Sequence, residues 1–120
     1  MQDGKAFWLA EAASYVADCG RKASCVRASE FANRVNRTPV QLAREFQASV
    51  GRRVRDHLHA LQIEQAKELL RTTPRATARI AAECGFGTAR SFYRAFRRCT
   101  GLSPTDYRKE MSLVRPDVRQ

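Results

Sequence analysis

The strongest constraint on this chain is an internal repeat with a period of 50 residues. Like residues recur at this distance in five pairs: Leu42 and Phe92, Arg44 and Arg94, Phe46 and Phe96, Gly51 and Gly101, Asp56 and Asp106. A chain of 120 residues holds one domain of ordinary size, so the repeat is too short to mark two independent domains. It favours two copies of a small supersecondary unit, helix–turn–helix, joined by a shared helix.

The offset between the copies changes once, and the change locates a turn. Phe31-Ala32 matches Ile80-Ala81 at a distance of 49 residues rather than 50. The second copy therefore has one extra residue between its two short helices, around residues 85–87. Ala32 and Ala81 supply the small side chain that the first helix needs where the second helix crosses it.

Helical periodicity and end signals predict an all-α fold of about seven helices. The first helix spans about residues 5–19 and ends at Gly20, with its apolar face made by Trp8, Ala12, Tyr15, Val16 and Cys19. Thr38 is suited to cap a helix that starts at Pro39 and stops at Gly51. The predicted organisation is a first helix plus first unit (1–51), a linker helix (52–73), a second unit with a closing helix (74–110) and a tail (111–120).

The second helix of each unit has an inner and an outer face. A rotation of about 100° per residue places Pro39, Leu42, Phe46 and Ser49 inside in the first copy, and Phe92, Phe96 and Cys99 inside in the second. Phe86 and Tyr107 are also expected in the core. The outward residues are Val40, Gln41, Arg44 and Gln47 in the first copy and Arg90, Ser91, Arg94, Arg97 and Arg98 in the second.

The charge is strongly basic and unevenly placed. Lys+Arg number 22 against 12 Asp+Glu, a formal net charge of +10, and residues 1–20 hold a single one of the basic side chains. Arginine dominates, which suits bidentate binding of phosphates or guanine edges, although a GC-rich genome also favours Arg codons. No apolar run approaches the ~20 residues of a membrane span, and Glu11 and Asp18 interrupt any signal peptide. These features favour a small, basic, intracellular protein that binds nucleic acid and does not contact membranes.

The chain offers few groups for catalysis or metal binding. The spacing of Cys19, Cys25, Cys84 and Cys99 matches no zinc site, and Cys84 and Cys99 lie among apolar helical positions. A redox pair of Cys19 and Cys25 stays open. His57 and His59 point to different helix faces. We therefore expect a protein that is not an enzyme and has no cofactor or metal.

Three motifs resemble the AraC/XylS family of bacterial transcription regulators. They are residues 80–86 (IAAECGF), residues 92–98 (FYRAFRR) and residues 101–108 (GLSPTDYR). The stretch from Leu61 to Leu70 resembles the family's linker helix, and residues 31–32 with 42–46 resemble its first unit. The resemblance covers roughly residues 12–110.

The resemblance implies a transcription regulator, most simply an activator that recruits RNA polymerase. Two recognition helices would enter successive major-groove faces of double-stranded DNA, with the protein as a monomer. Arg44 and Arg94 match the family's motif arginines and are assigned to base edges or adjacent phosphates. Val40, Gln41 and Gln47 are candidates for the first half-site, Arg90 and Ser91 read the second, and Arg97 and Arg98 contact phosphates. For Gln41 and Gln47 a solvated face without a partner is an equal alternative.

Several positions depart from the family pattern. Arg27 and Ala76 stand where Ser or Thr usually caps the first helix of each unit, and such a lost cap costs about 1 kcal/mol, so fraying is expected there. Arg53-Val54 replaces a Ser-Pro pair, and Glu45 replaces an apolar residue. The first unit is thus expected to be looser, with weaker DNA contact. Two other functions remain open: the DNA-binding piece of a larger ligand-sensing regulator, and a non-specific nucleoid-coating protein.

Overall fold

The computed structural model describes residues 4–114, which form seven α-helices and no β-strand. This confirms the predicted all-α fold. No helix in the described part is long and apolar enough to cross a membrane. The helices are α1 (Gly4–Lys22), α2 (Ala28–Arg34), α3 (Pro39–Val50), α4 (Val54–Thr72), α5 (Thr77–Glu83), α6 (Ala89–Thr100) and α7 (Pro104–Val114).

The sequence repeat is a repeat of helix ends. The Thr38 hydroxyl accepts a hydrogen bond from the Gln41 amide at 3.1 Å, and Thr88 accepts one from Ser91 at 3.0 Å, so α3 and α6 begin alike. Both are 12 residues long, and each ends at a glycine with positive φ, +86° at Gly51 and +83° at Gly101. This left-handed conformation is the one that glycine adopts at helix C-termini at little cost.

The turns between the paired helices differ by the one residue predicted. Four residues (35–38) join α2 to α3, and five (84–88) join α5 to α6. Asn36 and Gly85 occupy equivalent positions with φ of +62° and +86°. The next amide in each turn returns to the first helix of its unit: the Arg37 amide donates to the Ala32 carbonyl at 2.9 Å, and Phe86 donates to Ala81 at 3.0 Å.

Helix α4 belongs to both units. It starts 50 residues after α1 and 50 before α7, so it closes the first unit as α7 closes the second. It packs against all six other helices. Its residues Val54 and Leu58 enter the first core, with Trp8, Ala12, Tyr15, Val16, Cys19, Phe31, Ala32, Leu42 and Phe46. Its residues Ile63, Ala66 and Leu70 enter the second, with Ile80, Ala81, Cys84, Phe86, Phe92, Ala95 and Phe96.

Three helix ends differ from the prediction. Helix α1 continues through Gly20 to Lys22, because Ala23 takes the left-handed conformation (φ +55°) and the Ser24 amide closes the end on the Cys19 carbonyl at 3.0 Å. The linker helix begins at Val54 rather than 52. Helix α7 reaches Val114, so the first part of the predicted tail is helical, and residues 115–120 lie outside the described residues.

Two expected inner-face residues are exposed. Periodicity predicts Cys99 on the inner face, but it lies in the last turn of α6, beyond the part of that helix that the second core covers, and Ala95 is buried instead. Pro39 is exposed because it starts α3 at the edge of the first core. Cys84 is buried as expected, and burial raises the pKa of its thiol to about 12.

The departures from the family pattern have visible local consequences. Neither Arg27 nor Ala76 provides a side-chain cap, as predicted. Glu45 is half-buried, and its carboxylate pairs with the Arg37 guanidinium at 2.9 Å. That guanidinium also lies 6.0 Å from the centre of the Trp8 ring, within reach of a cation–π contact.

Candidate nucleic-acid interface

The outer face of α3 carries the side chains predicted there. Val40 is 68% exposed, and Gln41, Arg44 and Gln47 are also exposed. The Gln41 side-chain oxygen accepts a hydrogen bond from the Thr38 amide at 3.0 Å, which completes a capping box. Gln41 therefore has a structural role in starting the helix, whereas the side chain of Gln47 forms no hydrogen bond within the described residues.

Helix α6 presents a denser basic face. Arg90, Ser91, Arg94, Arg97 and Arg98 are all exposed, as predicted, and α6 contains no acidic residue. Within residues 4–114, the side chains of Arg90, Arg94 and Arg97 form no hydrogen bond and no salt bridge. Three guanidinium groups on one helix face, without a counter-charge from the described chain, are suited to bind an anion such as a phosphate.

Arg98 has a different environment from the other three. Its Nη1 lies 3.6 Å from Asp56 Oδ1 on α4. Arg98 and Asp56 line an open groove of about 660 Å³, which we call the central groove. Helix α4 forms its floor, the end of α3 and the end of α6 form its sides, and its basic residues are Arg52, Arg53, Lys67 and Arg98.

The central groove shows that α3 and α6 lie on the same side of the molecule. Gln47 of α3 and Arg98 of α6 line the same groove, so the two helices border one side of the molecule. In the described chain α3 packs mainly on α1 and α6 packs mainly on α4, rather than on each other. A helix of 19 residues is about 28 Å long. That length is comparable to the ~34 Å of one turn of B-DNA.

The two histidines confirm that opposite faces of α4 serve different units. The His57 ring lies 5.5 Å from Phe46 in the first unit, and the His59 ring lies 5.7 Å from Phe86 in the second. Burial lowers the pKa of both imidazoles, and the charges of Arg52 near His57 and Arg55 near His59 act in the same direction. Neither ring is arranged to share a metal with the other.

One side chain of the α6 face was missed. Tyr93 is 44% exposed, and its hydroxyl lies 3.1 Å from the Thr77 hydroxyl. Helical spacing places Tyr93 beside Arg90 and Arg97, so the signal was present in the sequence. An exposed aromatic ring among arginines adds an apolar surface and a hydroxyl to this face.

Fold and site together define a protein with two helix–turn–helix units on one shared helix. A family model described as "Helix-turn-helix domain" matches residues 31–110, two thirds of the chain. The chain belongs to the AraC/XylS family of helix–turn–helix regulators. It is 37% identical over 90 residues to an HTH-type transcriptional regulator of Mycobacterium tuberculosis, covering 75% of this chain and 35% of that protein. It is 34% identical over 98 residues to the Arabinose operon regulatory protein of Escherichia coli, covering 82% and 33%.

Solved structures show the same architecture. The DNA-binding domain of AdpA, crystallised in complex with a target DNA, has a TM-score of 0.74 at 26% identity and covers 88% of this chain and 96% of that one. The C-terminal domain of AraT from Geobacillus stearothermophilus has a TM-score of 0.70 at 29% identity, covering 82% and 81%. The chain spans about a third of the length of the two curated relatives above.

Proposed function

We propose that the chain binds specific double-stranded DNA sequences by placing α3 and α6 in successive major-groove faces. The observation that carries the proposal is a pair of helices, α3 and α6, that each start at a threonine cap, end at a glycine and border the central groove, with an exposed outer face. The DNA-binding domain of AdpA, whose fold this chain shares, was crystallised in complex with a target DNA, which supports DNA binding by this chain. A protein of this kind acts on the nucleoid in the cytoplasm.

The side chains divide into two roles. Arg90, Ser91 and Arg94 are proposed to read bases of the second half-site, with Arg90 paired to a guanine. In the first half-site Val40 and Arg44 approach bases, and Gln47 is the better candidate for an adenine because the Gln41 oxygen is used in the cap. Arg97 and Arg98 are assigned to phosphates, which position the protein without reading sequence. For Arg98 this requires release from Asp56.

Selection of bound sequences from a random DNA pool tests this proposal directly. We expect two enriched blocks separated by about one helical turn, 10–10.5 base pairs from centre to centre. A single scrambled block should then weaken binding sharply at constant salt. Enrichment of no sequence, with affinity that follows salt concentration alone, would favour a non-specific coating protein instead.

The proposed effect on transcription is activation through RNA polymerase, with the chain acting as a monomer. Transcription in vitro from a template carrying the selected site, with and without the protein, measures the sign of the effect. More transcript supports activation, whereas less transcript would make the protein a repressor. Sedimentation of the protein with one site-bearing duplex gives the number of chains bound.

A second candidate is that these residues are the DNA-binding part of a larger sensor. It is favoured by one observation, the coverage of about a third of each curated relative named above. An antibody raised against the chain and used on extracts of the source cells separates the two cases. A band at 13.6 kDa supports a small regulator, and a band about three times heavier supports the sensor.

A further inference from the structure

The turn of the second unit is held from outside that unit. The Val26 amide, in the loop between α1 and α2, donates to the Gly85 carbonyl at 2.9 Å. The Gln62 side-chain nitrogen, on α4, donates to the Cys84 carbonyl at 2.9 Å. Gln62 is only 2% exposed, so its amide is committed to this contact. We call this group, Val26, Gln62, Cys84 and Gly85, the clasp.

The equivalent turn of the first unit has no clasp. The carbonyls that correspond to Cys84 and Gly85 are those of Val35 and Asn36. Both accept hydrogen bonds from the side chain of neighbouring Arg37, at 3.2 Å and 3.4 Å. The same backbone shape is thus satisfied locally in one unit and by two other elements in the other. A turn of this geometry can therefore have its carbonyls hydrogen-bonded by a neighbouring side chain. The hydrogen bonds of the clasp are not needed to form the turn itself.

The close approach depends on a glycine at position 85. Its backbone is buried with φ +86°, and a Cβ there would lie 2.8 Å from Val26 Cγ2 and 3.2 Å from the Ser24 carbonyl oxygen. The loop that meets it is itself fixed to α1, through the Ser24 amide on the Cys19 carbonyl at 3.0 Å. A rigid path therefore runs from α1, which packs on α3, to the turn that starts α6.

We propose that the clasp fixes the orientation of α6 relative to α3 and so sets the spacing between the two DNA half-sites that the protein accepts. The inference rests on the proposed function. Without the clasp the second unit keeps its own core but is joined to the first mainly through α4. Small rotations about α4 would then let the protein tolerate more than one spacing. Val26 and Gln62 are positioning residues, since neither lies on the exposed faces of α3 or α6.

Spacing can be tested by inserting one base pair between the selected half-sites. The insertion moves one half-site by about 3.4 Å and rotates it by about 34°. For the unaltered protein we expect binding to weaken by at least about 30-fold, since the loss of a single base contact in one half-site already costs about that much. For Gly85→Ala and for Gln62→Met the native site should bind less tightly, while the insertion penalty falls to about threefold.

Matched variants separate the clasp from general strain. Gly101→Ala places the same methyl at φ +83° with nothing within 4 Å, so it carries the backbone strain alone and should keep the full insertion penalty. Removing the opposing methyls in Gly85→Ala/Val26→Ala should restore part of it. If Gly85→Ala does not fold, which thermal unfolding would show, Gln62→Met and the double variant carry the test.

A measurement without DNA keeps this inference distinct from the proposed function. Residual dipolar couplings of the free protein should fit a single alignment for both units, and Gly85→Ala or Gln62→Met should require two. Failure of the unaltered protein to select any sequence would defeat the proposed function but leave this result standing. The inference would be wrong if both variants kept a single shared alignment and an unchanged insertion penalty. It would also be wrong if Gly101→Ala lost the insertion penalty to the same extent.

Discussion

The Tyr15 hydroxyl lies 2.9 Å from the Arg27 main-chain nitrogen and accepts its hydrogen bond. Arg27 precedes α2 at the position where a Ser or Thr side chain would normally cap the helix. The same hydroxyl donates toward Glu30 Oε1 at 2.7 Å, with the Arg27 carbonyl at 3.1 Å. Burial raises the pKa of Tyr15 above its usual range, so the phenol keeps its proton. Tyr15 of α1 therefore stabilises the start of α2, where Arg27 provides no side-chain cap.

Tyr15→Phe should lower the free energy of unfolding by about 1–2 kcal/mol. The change keeps the ring, which stacks on Phe31 at 5.4 Å, and leaves the Arg27 N–H without its partner. Urea unfolding followed by circular dichroism measures the loss. Tyr107→Phe is the control, because the Tyr107 hydroxyl forms no hydrogen bond within residues 4–114. Equal stability of both variants would show that the Tyr15 hydroxyl does not substitute for the cap.

Arg108 of α7 holds the end of α4 and the loop that leads from it to α5. Its Nε donates to the Leu70 carbonyl at 3.1 Å, and its Nη2 donates to Thr73 at 3.0 Å and to Arg75 at 2.7 Å. Lysine cannot reproduce this planar fork, so Arg108→Lys should lower the free energy of unfolding by about 1–3 kcal/mol. Exposed Lys109→Ala should change it by less than about 0.5 kcal/mol. A loss in Arg108→Lys no larger than in Lys109→Ala would contradict the assignment.

The fold could be predicted where local signals repeat. Thr38 and Gly51 are capping residues whose effect is set within one turn of helix, so the bounds of α3 followed from the sequence. The predicted end of α1 at Gly20 is wrong, because the helix end is set by the Ser24 amide and by packing on α4. A Cβ at position 20 would lie at an ordinary 3.7 Å from the Gln65 side chain, so the position does not require a glycine. The prediction for Cys99 is wrong because helical periodicity gives the direction of a side chain. It does not show how far along α6 the second core extends.

The candidate site was predictable in its composition and less so in its connections. Exposure of Arg90, Arg94 and Arg97 follows from helix geometry once α6 is placed. The pairing of Arg98 with Asp56 and the clasp between Val26 and Gly85 join residues far apart in sequence. No local sequence pattern predicts such contacts, because they depend on how the two units pack against α4.

Stability should fall between pH 7 and pH 5 through His57 and His59. The pKa of each is lowered in the folded chain, so in this interval the unfolded chain binds protons that the folded chain does not. The neutral His57 Nδ1 lies 3.3 Å from Arg52, and the His59 Nδ1 is buried without a hydrogen-bond partner in the described residues. The stability is present above the usual histidine pKa of about 6.5 and lost as the pH drops through the lowered values.

Unfolding in urea at pH 7, 6 and 5 measures this dependence, with His57→Gln/His59→Gln as the comparison. The double variant should show a flatter profile over the same range. Glu83, whose pKa is lowered chiefly by its hydrogen bond with Arg79, loses its contribution below pH 4.5 and therefore does not interfere. A profile equally steep in both proteins would exclude the histidines as the cause.

Arg97→Ala should weaken binding to every DNA sequence alike. Arg97 is exposed near the end of α6, without a salt-bridge partner in the described chain, and is assigned to a phosphate. Loss of one such contact should reduce the slope of log affinity against log salt by about one unit. Fluorescence anisotropy at several salt concentrations, on the selected site and on an unrelated duplex, gives both quantities. A slope that does not change would remove Arg97 from the backbone contacts.

Arg94→Ala should have the opposite signature on the same helix face. We expect binding to the selected site to weaken by about 1–3 kcal/mol, with relaxed preference at one base pair and little change on unrelated DNA. The two variants remove the same charge from α6, so a difference between them reports on base reading rather than on net charge. Repeating the random-pool selection with Arg94→Ala identifies the base pair. Equal losses on selected and unrelated DNA would make Arg94 a phosphate contact and would leave Arg90 as the main reader of the second half-site.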